Sequence, residues 1–286
     1  MILADLTAQI PWWMEPGNQK TMAVCTLVGL VCGFLSAFTT LKGWSLMGDA
    51  LSHSVAPGVA LAKLAAMPFS LGAFLSGMLA AGAMGFIKIR TKLREDAIIG
   101  IVMTSFLALG YLLGSIFPSQ VDFNTIIFGN INLISTEDAL QLSALAALTL
   151  FALAVKWRDL MLYCFDAGQA RAMGMNTGAL HFLLLAMLSA SAVAALQAVG
   201  AVLVVAMLVT PGATAYLLTD RFGRLVWLSG FIGGSTGFAG VIVSYEGNLA
   251  TGGCIAVLQT LVFLVTFVFA PRHGYLASLR ARRLVA

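Results

Sequence analysis

Apolar runs of about 20 residues, the length that a helix needs to cross the hydrocarbon core of a bilayer, recur along this chain. The hydrophobic share is 60% of 286 residues and the charged share is 10%. An ordinary soluble domain has roughly 25% charged residues. The sequence therefore predicts an all-α, polytopic membrane protein whose helices pack into one bundle.

Hydropathy predicts eight full spans and one shorter apolar piece. The spans are expected near 20–41, 50–66, 69–87, 97–116, 139–156, 180–206, 223–244 and 252–270. The shorter piece, 207–219, contains Thr210-Pro211-Gly212 and is predicted to be a ninth short helix or a re-entrant half-helix. Because no repeat or low-complexity linker divides the chain, residues 1–286 are interpreted as a single transmembrane domain.

The lysines and arginines of the connecting segments predict the orientation of the bundle. Basic residues are concentrated in four segments that we expect on the cytoplasmic side: 88–96, 156–178, 220–224 and the tail 272–286. Two segments without lysine or arginine, 117–138 and 245–251, are expected outside, with a short helix over 125–135 resting on the outer face. Residues 1–19 are expected to form an interfacial segment on the outer side, because Trp12 and Trp13 suit the membrane interface.

Composition and motifs exclude several functions. The net charge of +4 comes from short loops that set orientation, so no nucleic-acid partner is expected. The four cysteines have no ligand spacing and are predicted to be packing residues. No phosphate-binding loop or hydrolase motif occurs, so ATP hydrolysis would need another polypeptide.

Two predicted spans carry small residues at helical spacing, which is typical of close helix packing in membranes. The positions are Gly230, Gly233, Gly234, Gly237 and Gly240 in one span, and Gly72, Ser76, Gly77 and Gly82 in the other. We interpret both as packing faces rather than as functional sites.

The heptapeptide GDALSHS, residues 48–54, places a carboxylate and an imidazole inside an apolar stretch. On a helix, Asp49 and His53 share one face, with Cβ atoms roughly 5–6 Å apart. Ionisable groups within a span are costly and usually line a pathway or meet a partner. Because Pro57 cannot donate to the His53 carbonyl, that oxygen is predicted to be free. Mixed nitrogen and oxygen donors suit Mn²⁺, Fe²⁺ or Zn²⁺.

Other interpretations of these polar residues stay open. Asp49 could be a helix N-cap, and His53 could be a core histidine that pairs with it. If they are ligands, one chain offers too few, and a two-fold dimer would bring two aspartates and two histidines to the axis. His181 and His273 are interpreted as surface residues, and Glu95 and Asp96 as caps of the incoming helix.

The sequence resembles the permeases of ABC importers for manganese, iron and zinc. The resemblance rests on KGWSLM (42–47) followed by GDALSHSVAPGVA (48–60), LREDAIIGIVMTSF (93–106), FGNI (128–131), DAGQARAMGM (166–175) and VGAVLVVAMLVTPGATAYLLTDR (199–221).

This resemblance implies a multi-pass permease of the bacterial cytoplasmic membrane that acts as a dimer with a second permease subunit, the same or a homologous chain. A cytoplasmic ABC ATPase dimer and an extracytoplasmic metal-binding protein are the implied partners, besides membrane lipid. It implies Asp49 and His53 as ligands of transported metal, with no permanently bound cofactor, and a preference for manganese or iron over zinc. It also implies a segment that couples to the ATPase, formed by Asp166, Gln169, Ala170, Arg171, Ala172 and Gly174.

Two alternatives belong to other classes. A stand-alone secondary transporter would exchange protons for metal at Asp49 and His53, although no inverted repeat is visible. An intramembrane enzyme using Asp49 lacks a second membrane carboxylate, because the other candidates are expected in outside loops: Asp122, Glu137, Asp138 and Glu246.

Overall fold

A computed structural model of the chain describes residues 16–117, 136–271 and 274–277. These residues form helices joined by short turns, and the all-α prediction is confirmed. The helices are α1 (Pro16–Lys42), α2 (Met47–Ser54), α3 (Ala56–Leu64), α4 (Phe69–Arg90), α5 (Glu95–Ile116), α6 (Thr136–Phe165), α7 (Ala167–Ala172), α8 (Thr177–Val199), α9 (Ala201–Leu218), α10 (Phe222–Gly247) and α11 (Thr251–Phe269).

Within the described ranges, 7 helices are long and apolar enough to cross a membrane: α1, α4, α5, α6, α8, α10 and α11. A shorter apolar stretch, Val204–Leu218, lies within α9. The predicted count of eight full spans is thus not confirmed, because residues 50–66 do not form a single helix.

Two short helices, α2 and α3, replace the span predicted over 50–66, and they meet at Val55. Pro57 lies in the first turn of α3, where its missing N–H costs little. The carbonyl of Ser54 at the junction accepts a hydrogen bond from the Ser76 hydroxyl of α4, at 2.6 Å. A side chain of a neighbouring helix thus helps to satisfy the broken backbone ladder.

The predicted boundary between the span 180–206 and the shorter piece 207–219 is wrong, because α9 begins at Ala201 and continues through Pro211. The Ser36 hydroxyl of α1 accepts a hydrogen bond from the Gly212 N–H at 2.9 Å and donates one to the Val209 carbonyl at 3.1 Å. These bonds satisfy backbone groups beside the proline. The chain instead breaks at Gly200, whose positive φ of 86° separates α8 from α9.

The predicted glycine faces are packing surfaces. A Cβ built on Gly233 of α10 would lie 3.1 Å from the Gly29 carbonyl carbon of α1, and the reverse distance is also 3.1 Å. On α4, a Cβ at Gly72 would clash with the backbone of Gly58 on α3. Gly82, by contrast, has nothing within 4 Å of its Cβ position, so it lies outside the contact.

Five helix ends meet at one end of the bundle. Lys88 at the end of α4 pairs with Glu95 at the start of α5, with Nζ and Oε1 2.7 Å apart. Lys42 at the end of α1 donates to the Tyr163 carbonyl near the end of α6, at 3.3 Å. Tyr163 in turn bonds His181 near the start of α8. Because this end carries the basic 88–96 and 156–178 segments, it is the end predicted to be cytoplasmic.

Several predictions fall wholly or mostly outside the described residues. These are the interfacial segment 1–19, the outer-face helix over 125–135, the FGNI motif and the basic tail 272–286 with His273.

Candidate metal site

Only two side chains of the helix α2 are not buried. Of its 8 residues, Met47, Gly48, Ala50, Leu51, Ser52 and Ser54 are buried. The other two are Asp49 and His53, whose side chains are 31% and 30% exposed. Since α2 packs against α4, α5, α8 and α9, its apolar residues fix the rotation of the helix and leave the polar pair accessible.

The two side chains lie close enough to touch one cation together. Asp49 Oδ1 and His53 Nε2 are 3.2 Å apart, as expected for positions i and i+4 on a helix. The other close pairs of acidic and basic side chains in the described ranges join a lysine to a carboxylate, Lys88 to Glu95 and Lys156 to Asp159. Among them, only the pair on α2 combines a carboxylate with an imidazole, both of which bind first-row metals.

The interpretation of Asp49 as an N-cap is wrong. The helix α2 begins at Met47 with Leu46 as its N-cap, so Asp49 lies in the first helical turn. A carboxylate there interacts favourably with the helix dipole, but it does not replace a missing cap.

The prediction that the His53 carbonyl is free is also wrong. The N–H of Val55, at the junction between α2 and α3, donates to that oxygen. The donor set on one chain is therefore the Asp49 carboxylate and the His53 imidazole.

In the described parts of the chain, no group of three or more His, Cys, Asp or Glu side chains comes together. Transition metals in proteins generally have four or more ligands. The described residues of one chain therefore bring together two such side chains, and the partial exposure of Asp49 and His53 leaves both of them accessible.

The segment predicted to couple to an ATPase forms the short helix α7 and the turn that follows it. Asp166 is the N-cap, and its Oδ1 accepts hydrogen bonds from the N–H groups of Gly168 and Gln169 at 2.8 and 3.0 Å. Gly174 ends the turn with a φ of 80°, a conformation that favours glycine. These two residues therefore shape the segment.

One residue of this segment anchors it and the others face outward. Ala170 is fully buried, whereas Gln169, Arg171 and Ala172 are exposed. The neighbouring Met173 is 67% exposed. A buried alanine under polar and apolar exposed side chains suits a small docking surface, which the small residues of this segment and the resemblance both suggested.

Two assignments near this segment are wrong. His181 is partly buried rather than a surface residue, and its Nδ1 lies 2.8 Å from the Tyr163 hydroxyl. Neither Glu95 nor Asp96 caps α5, because its N-cap is Arg94. The Glu95 carboxylate instead binds Lys88 and the indole N–H of Trp44. A buried Trp N–H needs an acceptor, so the Trp in KGWSLM was a signal that an acceptor lies nearby.

Comparison with known proteins places this arrangement in a family. The ABC 3 transport family matches residues 16–270, which cover both the polar pair on α2 and the segment around α7. The chain belongs to the ABC 3 transport family. It is therefore a multi-pass permease of the bacterial cytoplasmic membrane, and the predicted fold class and family are confirmed.

Known proteins match this chain over nearly its whole length. The chelated iron transport system membrane protein YfeC of Yersinia pestis is 52% identical over 275 residues, covering 95% of this chain and 94% of that protein. The manganese transport system membrane protein MntB of Synechocystis is 44% identical over 281 residues, covering 96% and 92%. The structure of PsaBC from Streptococcus pneumoniae in complex with Fab matches with a TM-score of 0.85 and 36% identity, covering 98% of this chain and 100% of that one.

Proposed function

We propose that this chain is the membrane subunit of an ATP-driven importer of a divalent transition metal, with Mn²⁺ or Fe²⁺ preferred over Zn²⁺. The observation that carries the proposal is the accessible Asp49–His53 pair on the otherwise buried helix α2. The metal named for YfeC is chelated iron, and the metal named for MntB is manganese. Both are borderline or hard ions that accept oxygen and nitrogen donors, which fits this pair better than it would fit a site for soft Cu(I).

Two permease subunits complete the site in this proposal. Each contributes one carboxylate and one imidazole, so four ligands and two negative charges would surround one M²⁺. The second subunit is either another copy of this chain or a homologous one. The metal is cargo, and the permease needs no permanently bound cofactor.

Other chains supply energy and metal. The permease carries no ATP-binding motif, so a cytoplasmic ATPase dimer hydrolyses ATP and docks on the exposed face of α7, formed by Gln169, Arg171, Ala172 and Met173. An extracytoplasmic binding protein delivers metal to the opposite end of the bundle. Residues 1–286 act as one transmembrane domain in this arrangement.

Transport assays test the proposal. The permease, co-purified with its ATPase, is reconstituted in liposomes with the metal-binding protein, and uptake of Mn²⁺, Fe²⁺ and Zn²⁺ is followed with and without ATP. We expect ATP-dependent uptake, with Mn²⁺ or Fe²⁺ ahead of Zn²⁺. Uptake that follows a proton gradient and ignores ATP would contradict this and support a secondary transporter.

Reversing the charge of Arg171 should weaken ATPase docking. Arg171 is exposed, so Arg171→Glu leaves the helix intact while placing a carboxylate on the docking face. We expect affinity for the ATPase to fall at least about tenfold, as for charge reversals at interfaces. The measurement is co-purification and titration of the ATPase, and Lys92→Glu, in the 91–94 turn, is the charge-matched control. Unchanged affinity in Arg171→Glu would remove α7 from the docking surface.

A further inference from the structure

A cluster of polar and aromatic side chains lies between the metal helix α2 and the segment around α7. We call it the inner-end cluster, and its members are Lys42, Trp44, Lys88, Glu95, Tyr163 and His181. None of them belongs to the Asp49–His53 pair or to the exposed face of α7.

The first contact of the inner-end cluster joins two residues that flank the coupling segment in sequence. Tyr163 lies three residues before Asp166, and His181 lies in the first turns of the following helix α8. The Tyr163 hydroxyl and His181 Nδ1 are 2.8 Å apart. The end of α6, which leads into α7, and the start of α8, which follows it, are therefore joined directly. A displacement of α7 must move both Tyr163 and His181 or break this hydrogen bond.

The second contact connects His181 to the loop that precedes α2. The Trp44 and His181 rings meet edge to face, with centroids 5.3 Å apart and an interplanar angle of 82°. Trp44 is 4% exposed and lies three residues before Met47, the first residue of α2. His181 is thus in direct contact with the residue that leads into the metal helix.

The third contact fixes the orientation of the Trp44 indole. Its Nε1–H donates to Glu95 Oε2 at 3.2 Å, while Glu95 Oε1 pairs with Lys88 Nζ at 2.7 Å. Glu95 belongs to α5 and Lys88 to α4, and both helices pack against α2. The indole is held from both sides, by the imidazole on one and by the carboxylate on the other.

We propose that Tyr163, His181 and Trp44 are positioning residues that transmit movement of the ATPase-docked segment to the Asp49–His53 pair. The inference rests on the proposed function and adds the residues through which ATP hydrolysis is coupled to metal release. The packed contacts form an unbroken series from α7 to α2, so the position of α2 depends on that of α7. Chains of packed side chains and hydrogen bonds of this kind carry energetic coupling between distant sites.

Two substitutions within the inner-end cluster test this route. Tyr163→Phe removes the hydrogen bond to His181 and keeps the ring, and Trp44→Phe removes the N–H bond to Glu95 while keeping an aromatic edge. The matched control is Ser70→Ala, which removes a hydrogen bond between α4 and α6, from Ser70 to Gln141, at the opposite end of the bundle. The readout is the number of Mn²⁺ ions imported per ATP hydrolysed in reconstituted complexes.

We expect that ratio to fall about tenfold in Tyr163→Phe and in Trp44→Phe, with ATPase association and hydrolysis kept within about twofold, since coupling between sites is typically worth about 5–150-fold. Ser70→Ala should keep the wild-type ratio. An unchanged ratio in both cluster variants would overturn the proposal. So would equal losses of assembly, hydrolysis and uptake, because the cluster would then only support folding. Failure of wild-type complexes to import metal with ATP would instead contradict the proposed function.

Discussion

Replacing Asp49 or His53 by alanine is expected to reduce metal uptake at least about 100-fold. Changes to groups that only orient a metal ligand typically cost about 10–100-fold in affinity, so loss of a ligand should cost at least as much. Both side chains are partly exposed on α2, and the residues that pack this helix are different ones. The permease should therefore still fold and bind its ATPase. Uptake into reconstituted liposomes, measured together with ATPase co-purification, checks this result.

Asp96→Ala is the matched control for the loss of a carboxylate. Asp96 is an exposed residue in the first turn of α5, away from the Asp49–His53 pair in sequence. We expect uptake by this variant to stay close to that of the wild type. Near-normal uptake by both Asp49→Ala and His53→Ala would remove the pair from the metal path and leave it as a local polar contact on α2.

Gly233→Ala is expected to destabilise the bundle by about 2–3 kcal/mol, as overpacking of a close contact typically does. An added Cβ would lie against the Gly29 backbone and 3.1 Å from the Gly33 Cα. Backbone atoms on α1 cannot move aside as a flexible side chain could. The contact is wide, since Ser229 of α10 also donates a hydrogen bond to the Gly33 carbonyl. Thermal unfolding of the detergent-solubilised permease should show a lower midpoint and a reduced yield of folded protein.

Gly82→Ala, on another helix, is the control variant that we do not expect to be destabilised. Gly82 is exposed on α4, with nothing within 4 Å of its Cβ position. Alanine favours a helix over glycine by about 1 kcal/mol, so this variant should be neutral or slightly stabilised. Equal unfolding midpoints for Gly233→Ala and Gly82→Ala would show that the α1–α10 contact tolerates an extra methyl group.

The parts of the fold that depend on local pattern were predictable from sequence. Spacing of four residues placed Asp49 and His53 on one face, and small-residue spacing identified the α10 face that packs against α1. Both features arise from helix periodicity, which needs no knowledge of neighbouring helices. The family followed from motifs that are spread along the chain.

Two predictions about where helices begin and end were wrong because distant residues decide these positions. Pro211 is tolerated inside α9 because Ser36, far away in sequence, satisfies adjacent backbone groups. The junction of α2 and α3 similarly receives a hydrogen bond from Ser76. A proline signals that a backbone group needs another partner, but the sequence does not reveal whether a neighbouring helix provides one.

The inner-end cluster was missed for a related reason. Glu95 follows a basic segment and opens a helix, so local rules favoured a cap. Its partners are Lys88 and the indole of Trp44, which come from α4 and from the loop before α2. Assigning Glu95 correctly required the three-dimensional packing of three segments.

The number of metal ions bound per permease chain tests the central claim most directly. The purified permease complex, in nanodiscs without nucleotide, is equilibrated with Mn²⁺, and bound metal is measured by elemental analysis for wild type and for Asp49→Ala. Our account predicts one ion for every two permease chains in the wild type and none at this site in the variant, because ligands from two subunits enclose one ion. One ion in each chain, or equal metal retained by Asp49→Ala, would contradict it.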